Sequence, residues 1–324
     1  MPARVLVTGA GGPAGVAVIR SLLRREAQEG DIEVFAADMD GWASGLYLVA
    51  ADRRLLVPPG ASPAFVPTVR QRVADLGIAV VISTVDVELL PLARERDSLG
   101  AELAAPSLAA LETCLDKWRL VQACRTAGAA VPRTMVLEPA AISADWDYPV
   151  IVKPRSGAGS RGVRLVANPA DLAAIGSDST LIVQENLPGE EYSVDTVIGP
   201  TGVIAAVPRL RARVDSGVAI AGRTVADPEL VEVAAACARA AGLLGVVNVQ
   251  LRRRASGRPA LLEINPRFSG AMPLTIASGV DMPSLAVDIA LGLPLPERVP
   301  FAEVAAVRFL EDVVVPVEEI EALT

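Results

Sequence analysis

Glu263-Ile264-Asn265-Pro266-Arg267 closes an apolar strand, Ala260–Asn265, which a turn at Ser256-Gly257 joins to another apolar strand, Val246–Arg252. Side chains alternate along a strand, so Asn248 and Gln250 share one face, and Glu263 and Asn265 share one face of the next strand. Val247, Val249, Leu251, Leu262 and Ile264 fill the opposite faces and are expected to pack on a core. Folding the two strands together gives a patch of carboxylate and amide oxygens. Such a patch suits Mg²⁺, with the phosphates of a bound nucleotide completing its octahedron. Arg267 sits beside it, able to neutralise a transferring phosphoryl group and so a candidate catalytic residue. A polar hairpin face turned to water is the alternative.

Upstream, Pro149–Pro154 is an apolar strand from which Lys153 projects, followed by Arg155-Ser156-Gly157-Ala158-Gly159-Ser160-Arg161-Gly162 and a further strand, Val163–Ala167. The spacing Gly157-x4-Gly162 is followed by Val163-Arg164, not Lys-Ser/Thr, and a strand follows where a P-loop would open a helix. The expected form is a β-hairpin with a glycine tip. Gly157, Gly159, Ser160 and Gly162 then offer backbone N–H groups to phosphate oxygens, and Lys153 contacts them from the strand. A plain surface hairpin stays open as a reading. Between the two segments, Val183-Gln184-Glu185-Asn186-Leu187-Pro188-Gly189-Glu190-Glu191 ends one strand and begins the next, Tyr192–Ile198. Such a hinge suits adenine at the backbone near Glu185 and Leu187, with Glu191 toward the ribose, although solvated turn residues would read the same way.

At 324 residues the length favours two domains. Residues 1–112 alternate strands (Arg4–Thr8, Glu33–Asp38, Ala79–Thr84) with helices (Ala14–Arg25, Phe65–Leu76, Glu88–Leu99), which implies a parallel sheet covered on both faces. Pro106-Ser107-Leu108 opens a short helix. A helix over Thr113–Gly128 then begins a second unit, 113–324, whose small glycine-loop lobe spans about 130–187 and whose larger lobe makes up the remainder. In texture, Tyr192–Ile198 reads as part of the small antiparallel lobe. Helices are expected over Pro228–Ala241 and Asp281–Leu291. The expected class is α/β, with a parallel-sheet domain followed by a two-lobed α+β domain.

The chain contains no histidine, which removes Ser-His-Asp and Cys-His catalysis and His-bearing zinc sites. Its three cysteines, Cys114, Cys124 and Cys237, lack metal or disulfide spacing and read as buried thiols. A net charge of −8 argues against nucleic acid, and no apolar run reaches the length of a membrane span. Arg252-Arg253-Arg254 reads as a solvated strand end. The N-terminus lacks the pattern of a signal peptide, so the expectation is cytoplasmic. Only two lysines occur, Lys117 and Lys153, among 30 basic residues.

One motif points elsewhere. Thr8-Gly9-Ala10-Gly11-Gly12-Pro13-Ala14-Gly15 follows a strand and opens a helix, with Asp38 ending the next strand, as in a dinucleotide-binding fingerprint. Enzymes of the nicotinamide-dependent dehydrogenase and epimerase kind resemble one another in a Tyr-x-x-x-Lys pair. Tyr47, Tyr148 and Tyr192 are instead followed four residues later by Ala51, Val152 and Thr196. A tight strand–helix turn is the preferred reading of these glycines.

The ordered set Asp116-Lys117, Val152-Lys153-Pro154 with the glycine loop, Gln184-Glu185-Asn186-Leu187, Glu191–Asp195, Val249-Gln250 and Glu263–Arg267 resembles the ATP-grasp superfamily, closest to its carbamoyl-phosphate-synthetase large-chain-like branch. The resemblance covers roughly 113–270, and the preceding unit is similar to that superfamily's pre-ATP-grasp domain. It implies ATP between two lobes, with Lys117 and Lys153 on its phosphates and the 184–187 segment and Glu191 around the nucleoside. It also implies Mg²⁺, with Mn²⁺ a substitute, on Gln250, Glu263 and Asn265. The expected activity is a stand-alone, ADP-forming ligation of a small carboxylate, through an acyl phosphate, to an amine or a thiol. Arg209, Arg211, Arg213 and Arg223 are candidates for the substrate carboxylate, and a solvated basic strand is the other reading. A homodimer is compatible with the sequence. A non-catalytic ATP-binding protein is the competing class.

Overall fold

The computed structural model describes residues 1–157, 161–215 and 217–323. It opens with β1 (Ala3–Thr8), α1 (Pro13–Glu29), β2 (Ile32–Asp38), β3 (Arg54–Leu56), α2 (Phe65–Leu76), β4 (Ile78–Ser83), α3 (Asp86–Arg94), β5 (Glu102–Leu103) and α4 (Leu108–Cys114). The strands form a parallel sheet in the order β3-β2-β1-β4-β5. Val5, Val7, Val34, Val80 and Ile82 are fully buried, as strands covered by helices on both faces require. Proline opens α1, where its missing N–H costs nothing. The order reverses between β1 and β4, whose carboxyl ends lead into the Gly9 turn and the start of α3.

The helix expected over Thr113–Gly128 is broken. Its first turn belongs to α4, and a new helix, α5 (Lys117–Thr126), starts after Asp116. Asp116 is extended, and its carboxylate accepts from the N–H groups of Trp118 and Arg119, so an N-cap interrupts what the apolar spacing reads as one helix. Ser107 caps α4 in the same way, through the Ala110 N–H.

A four-stranded antiparallel sheet follows, built from β6 (Thr134–Leu137), β7 (Val150–Pro154), β8 (Arg164–Val166) and β9 (Asp178–Glu185) in the order β6-β9-β7-β8. The short helices α6 (Pro139–Ile142) and α7 (Pro169–Ile175) cover it around Leu137, Trp146, Val150 and Leu172.

The last sheet has six strands, in the order β14-β13-β10-β11-β12-β15. Its members are β10 (Glu191–Gly199), β11 (Gly202–Asp215), β12 (Val218–Thr224), β13 (Gly245–Arg253), β14 (Pro259–Asn265) and β15 (Ala305–Val307). Helices α8 (Pro228–Ala240), α9 (Met272–Ala277), α10 (Met282–Ala290) and α11 (Val317–Glu321) accompany them. Two expectations are corrected. The strand at Tyr192–Ile198 does not join the small lobe, because β10 lies between β11 and β13 at the centre of the large sheet. The stretch holding Arg209–Arg213 and Arg223, read in the sequence as at most one basic strand, is the β11–β12 pair, two of its strands.

One apolar core joins the first sheet to the last. Val7, Val18, Ile19 and Leu22 pack with Val197, Val207, Phe268, Met282 and Leu285. Each such side chain contributes about 1.5–3 kcal/mol on burial, so the two units are held as one body. A second core beneath the six-stranded sheet collects Leu120, Val194, Leu230, Val247, Val249 and Ile264.

Candidate active site

The six-stranded sheet buries one face under α8, and the other face carries the site. Cross-strand register lines up Arg209, Ser193, Gln250 and Glu263 as one row across β11, β10, β13 and β14. Two residues along, Asp195, Asn248 and Asn265 make a second row. The period of two that buries Val194, Val249 and Ile264 therefore brings every polar member of these rows to the same surface.

That surface forms one wall of a cavity of about 400 Å³. The opposite wall comes from the four-stranded sheet, through Ile151, Lys153 and the segment Gln184–Leu187. Gln250, Glu263, Asn265 and Arg267 all line it, as do Lys117, Gly157 and Glu191. Lys153 is 5 % exposed, with its Nζ 3.5 Å from the Leu262 carbonyl oxygen. Burial pushes its ammonium down to about 8, with the charge of Lys117 adding to the effect and Glu263 opposing it. Lys117 donates to the Gly157 carbonyl at 2.8 Å and lies 4.0 Å from Glu263. Asp116 makes this convergence possible. While capping α5 it also binds Arg155 at 2.6 Å, which ties the start of the glycine loop to the helix that carries Lys117. Gly162 turns back over Pro154, whereas Gly159 and Ser160 lie outside the described residues.

The hinge residues line the cavity in a particular way. The Gln184 side chain is buried and donates to Thr134 Oγ1. The Glu185 carboxylate accepts from Arg254 Nε at 2.9 Å and from the Arg133 N–H at 3.0 Å. Glu191 is ion-paired with Arg211. Both carboxylates are thus already engaged, Glu185 by Arg254 and Glu191 by Arg211.

Of the four candidate substrate arginines, Arg209 and Arg211 line the cavity, and Arg213 and Arg223 are exposed outside it. Arg223 pairs with Leu210, whose neighbours Arg209 and Arg211 face the other way, so Arg223 points to the opposite side of the sheet. A register shift between Arg211 and Arg213 takes the latter off the row. Arg209 is 2 % exposed and binds Asp195, itself fully buried, at 2.8 Å. Asn248, Ser269 and Thr275 also donate to Asp195, the satisfaction that a buried charge pair requires. Arg209 Nε finds no acceptor among the described residues. Asp195 enters the sequence reading only as the end of the Glu191–Asp195 segment, and its signal is a polar residue two positions from Ser193 in an apolar strand.

Arg267 is held from a distance. Its Nε donates to Asp86 Oδ1 at 2.8 Å, its Nη2 to Asp86 Oδ2 at 2.7 Å and its Nη1 to the Phe268 carbonyl at 3.0 Å. Asp86 and Glu88 both lie in the first turn of α3, yet neither side chain caps it. Glu88 turns inward to accept from Thr8 and Ser83, and burial raises its carboxyl above the ordinary range. Arg252–Arg254 is likewise not merely solvated: Arg252 lines the cavity, Arg253 pairs with Asp227, and Arg254 pairs with Glu185. The three cysteines are free and buried.

The N-terminal glycine turn is full. A Cβ on Gly15 would lie 2.1 Å from the Gly9 carbonyl, and one on Gly45 2.1 Å from the Ala10 carbonyl. Asp38 spends its carboxylate on the N–H groups of Gly11 and Asp40. This is the tight strand–helix turn, with Ala43 and Gly45 packed directly against it.

Comparison with known proteins agrees with this arrangement. A family model described as ATP-grasp in the biosynthetic pathway with Ter operon matches residues 177–313. The carbamoyl-phosphate synthase L chain, ATP binding domain, matches residues 116–195. Residues 116–313 are thus matched by models of ATP-grasp domain families. Carnosine synthase 1 of Gallus gallus is 33 % identical over 184 residues, which cover 47 % of this chain and 20 % of that protein. The carbamoyl phosphate synthase large chain of Gemmatimonas aurantiaca is 26 % identical over 232 residues, 64 % of this chain and 21 % of that protein. The chain thus spans about a fifth of the length of these relatives. Among solved structures, the biotin carboxylase–β,γ-ATP complex from Campylobacter jejuni superposes with a TM-score of 0.75 at 18 % identity, covering 90 % of this chain and 72 % of that one. L-amino acid ligase from Bacillus licheniformis gives 0.69 at 16 % identity, covering 89 % and 74 %. These likenesses establish the fold. No helix among the described residues is long and apolar enough to cross a membrane.

Proposed function

We propose that this ATP-grasp chain is an ADP-forming ligase that phosphorylates a small carboxylate and passes the acyl group to an amine. The observation that carries the reading is the single sheet face on which Gln250, Glu263 and Asn265 stand side by side, opposite Lys153 and beside Lys117 and Arg267. Names among the relatives and neighbours, carnosine synthase and L-amino acid ligase, favour an amine over a thiol as nucleophile.

The donor set fits a hard divalent cation. Among the described residues no three His, Cys, Asp or Glu side chains come together. An ion here therefore rests on the Glu263 carboxylate, the amide oxygens of Gln250 and Asn265, and nucleotide phosphates, a mixture that suits Mg²⁺ and also Mn²⁺. When bound, the cation supplies charge neutralisation at the phosphates.

The chain's own residues do the rest. Lys153 and Lys117 contact the phosphates from the strand and from the helix start, and Gln184–Leu187 with Glu191 holds the nucleoside. The substrate carboxylate attacks the γ-phosphate, ADP leaves, and the carboxylate becomes an acyl phosphate. Arg267 offsets the charge on the transferring group. Arg209 and Arg211 orient the substrate from the same sheet face. An amine then attacks the acyl carbon and expels phosphate.

The test is ADP release from Mg-ATP across a panel of carboxylic and amino acids, with hydroxylamine present to trap acyl phosphate. One acid is expected to stimulate ADP release and to yield its hydroxamate. Release of AMP and pyrophosphate in place of ADP would contradict the proposal.

A further inference from the structure

The carboxylate that fixes Arg267 comes from the other end of the chain. Asp86 lies in the first turn of α3, where a carboxylate would ordinarily serve the helix's own N–H groups, yet it makes no cap. It crosses to Arg267 through two parallel hydrogen bonds of 2.8 and 2.7 Å. Its position is fixed from behind. Glu88, two residues on, is buried and accepts from Thr8 and Ser83, which pins the turn at the carboxyl ends of β1 and β4, where the sheet order reverses.

A guanidinium has five N–H groups in one plane. Asp86 takes one on Nε and one on Nη2, and the Phe268 carbonyl takes one on Nη1, so among the described residues one N–H on each Nη has no acceptor. With the plane clamped by Asp86 and Arg267 lining the cavity, those two have fixed directions. We infer that Asp86 is a positioning residue for phosphoryl transfer, and that it aims the free N–H groups of Arg267 at the group in flight. The inference rests on the proposed role of Arg267. A purely structural tie is the competing account. The pair is half-buried and bidentate, so it adds some stability as well as fixing the guanidinium plane, and only a readout specific to the transferring group separates the two roles.

The experiment requires no knowledge of the substrate. Mg-ADP affinity is measured by calorimetry with and without aluminium fluoride, which imitates a phosphoryl group between donor and acceptor, on the full chain and on D86N, D86E and R267M. The wild type is expected to bind Mg-ADP at least about tenfold more tightly with aluminium fluoride. D86N should bind Mg-ADP alone within about twofold of wild type and lose most of the tightening. D86E, which can re-form the fork with one more methylene, should recover part of it, and R267M should lose it all. Normal Mg-ADP affinity in the variants reports an intact fold, which a merely structural role for Asp86 would not preserve selectively. Full tightening in D86N with loss in R267M overturns the positioning role and leaves the ligase reading standing. Full tightening in R267M, or none in the wild type, overturns the phosphoryl-transfer reading and this inference with it.

Discussion

Two glycine-bearing turns follow apolar strands in this chain, and their surroundings are opposite. After β1, Gly9 adopts φ +72°, and a Cβ there would lie 2.3 Å from Val85 Cγ2, so backbone is packed against side chain. After β7, Gly157 has nothing among the described residues within 4 Å of its would-be Cβ, borders the cavity and takes a hydrogen bond from Lys117. Glycine in the first turn allows close packing, whereas in the second it leaves room. The residue type is the same and the spacing similar, so the surrounding space decides what a glycine motif does.

The comparison can be broken most severely at the oxygen-donor wall of the second turn's cavity. Glu263→Ala removes its one proposed charged cation ligand and should lower ADP formation on the order of 10²–10³-fold, the scale of a lost electrostatic stabiliser. Near-normal turnover would remove the cation from that wall. At the first turn, Gly15→Val forces a side chain to within 2.1 Å of the Gly9 carbonyl. It should cost roughly 1–3 kcal/mol of stability, read as a lowered urea midpoint, with the ATP affinity of the folded protein unchanged. A loss of nucleotide binding without destabilisation would mean that the first turn is also a ligand site. Lys153→Met should weaken ATP binding about tenfold by calorimetry.

The smallest effect concerns Glu88, beside the first turn. Burial raises its carboxyl above the ordinary 4.5, so its neutral form favours the fold. That contribution is complete below pH 4.5 and is lost as pH rises through the folded-state value. The stability of the wild type relative to Glu88→Gln should therefore fall between acidic and neutral pH. A difference independent of pH would show that Glu88 titrates as it does in the unfolded chain.

The parts legible in the sequence were those set by short periods. Alternation over Val246–Arg252 and Ala260–Asn265 gave the donor wall, and the strand–helix rhythm gave the parallel sheet. Local chemistry hid the break at Asp116, because an N-cap after an apolar helical stretch is one residue against a longer pattern. Arg213 and Arg223 fall outside the cavity because a register shift and a partner strand, neither visible along one segment, decide which face they take. The Asp86–Arg267 fork joins residues 181 apart and could not be read from spacing at all.

The central claim is that the cavity, and not the N-terminal glycine turn, is the nucleotide site. Titration of the wild type and Lys153→Met with Mg-ATP, and separately with NAD⁺, tests it most directly. The account predicts one Mg-ATP per chain, about tenfold weaker in the variant, and no heat from NAD⁺. Saturable NAD⁺ binding, with Mg-ATP binding absent or unchanged in the variant, would contradict it.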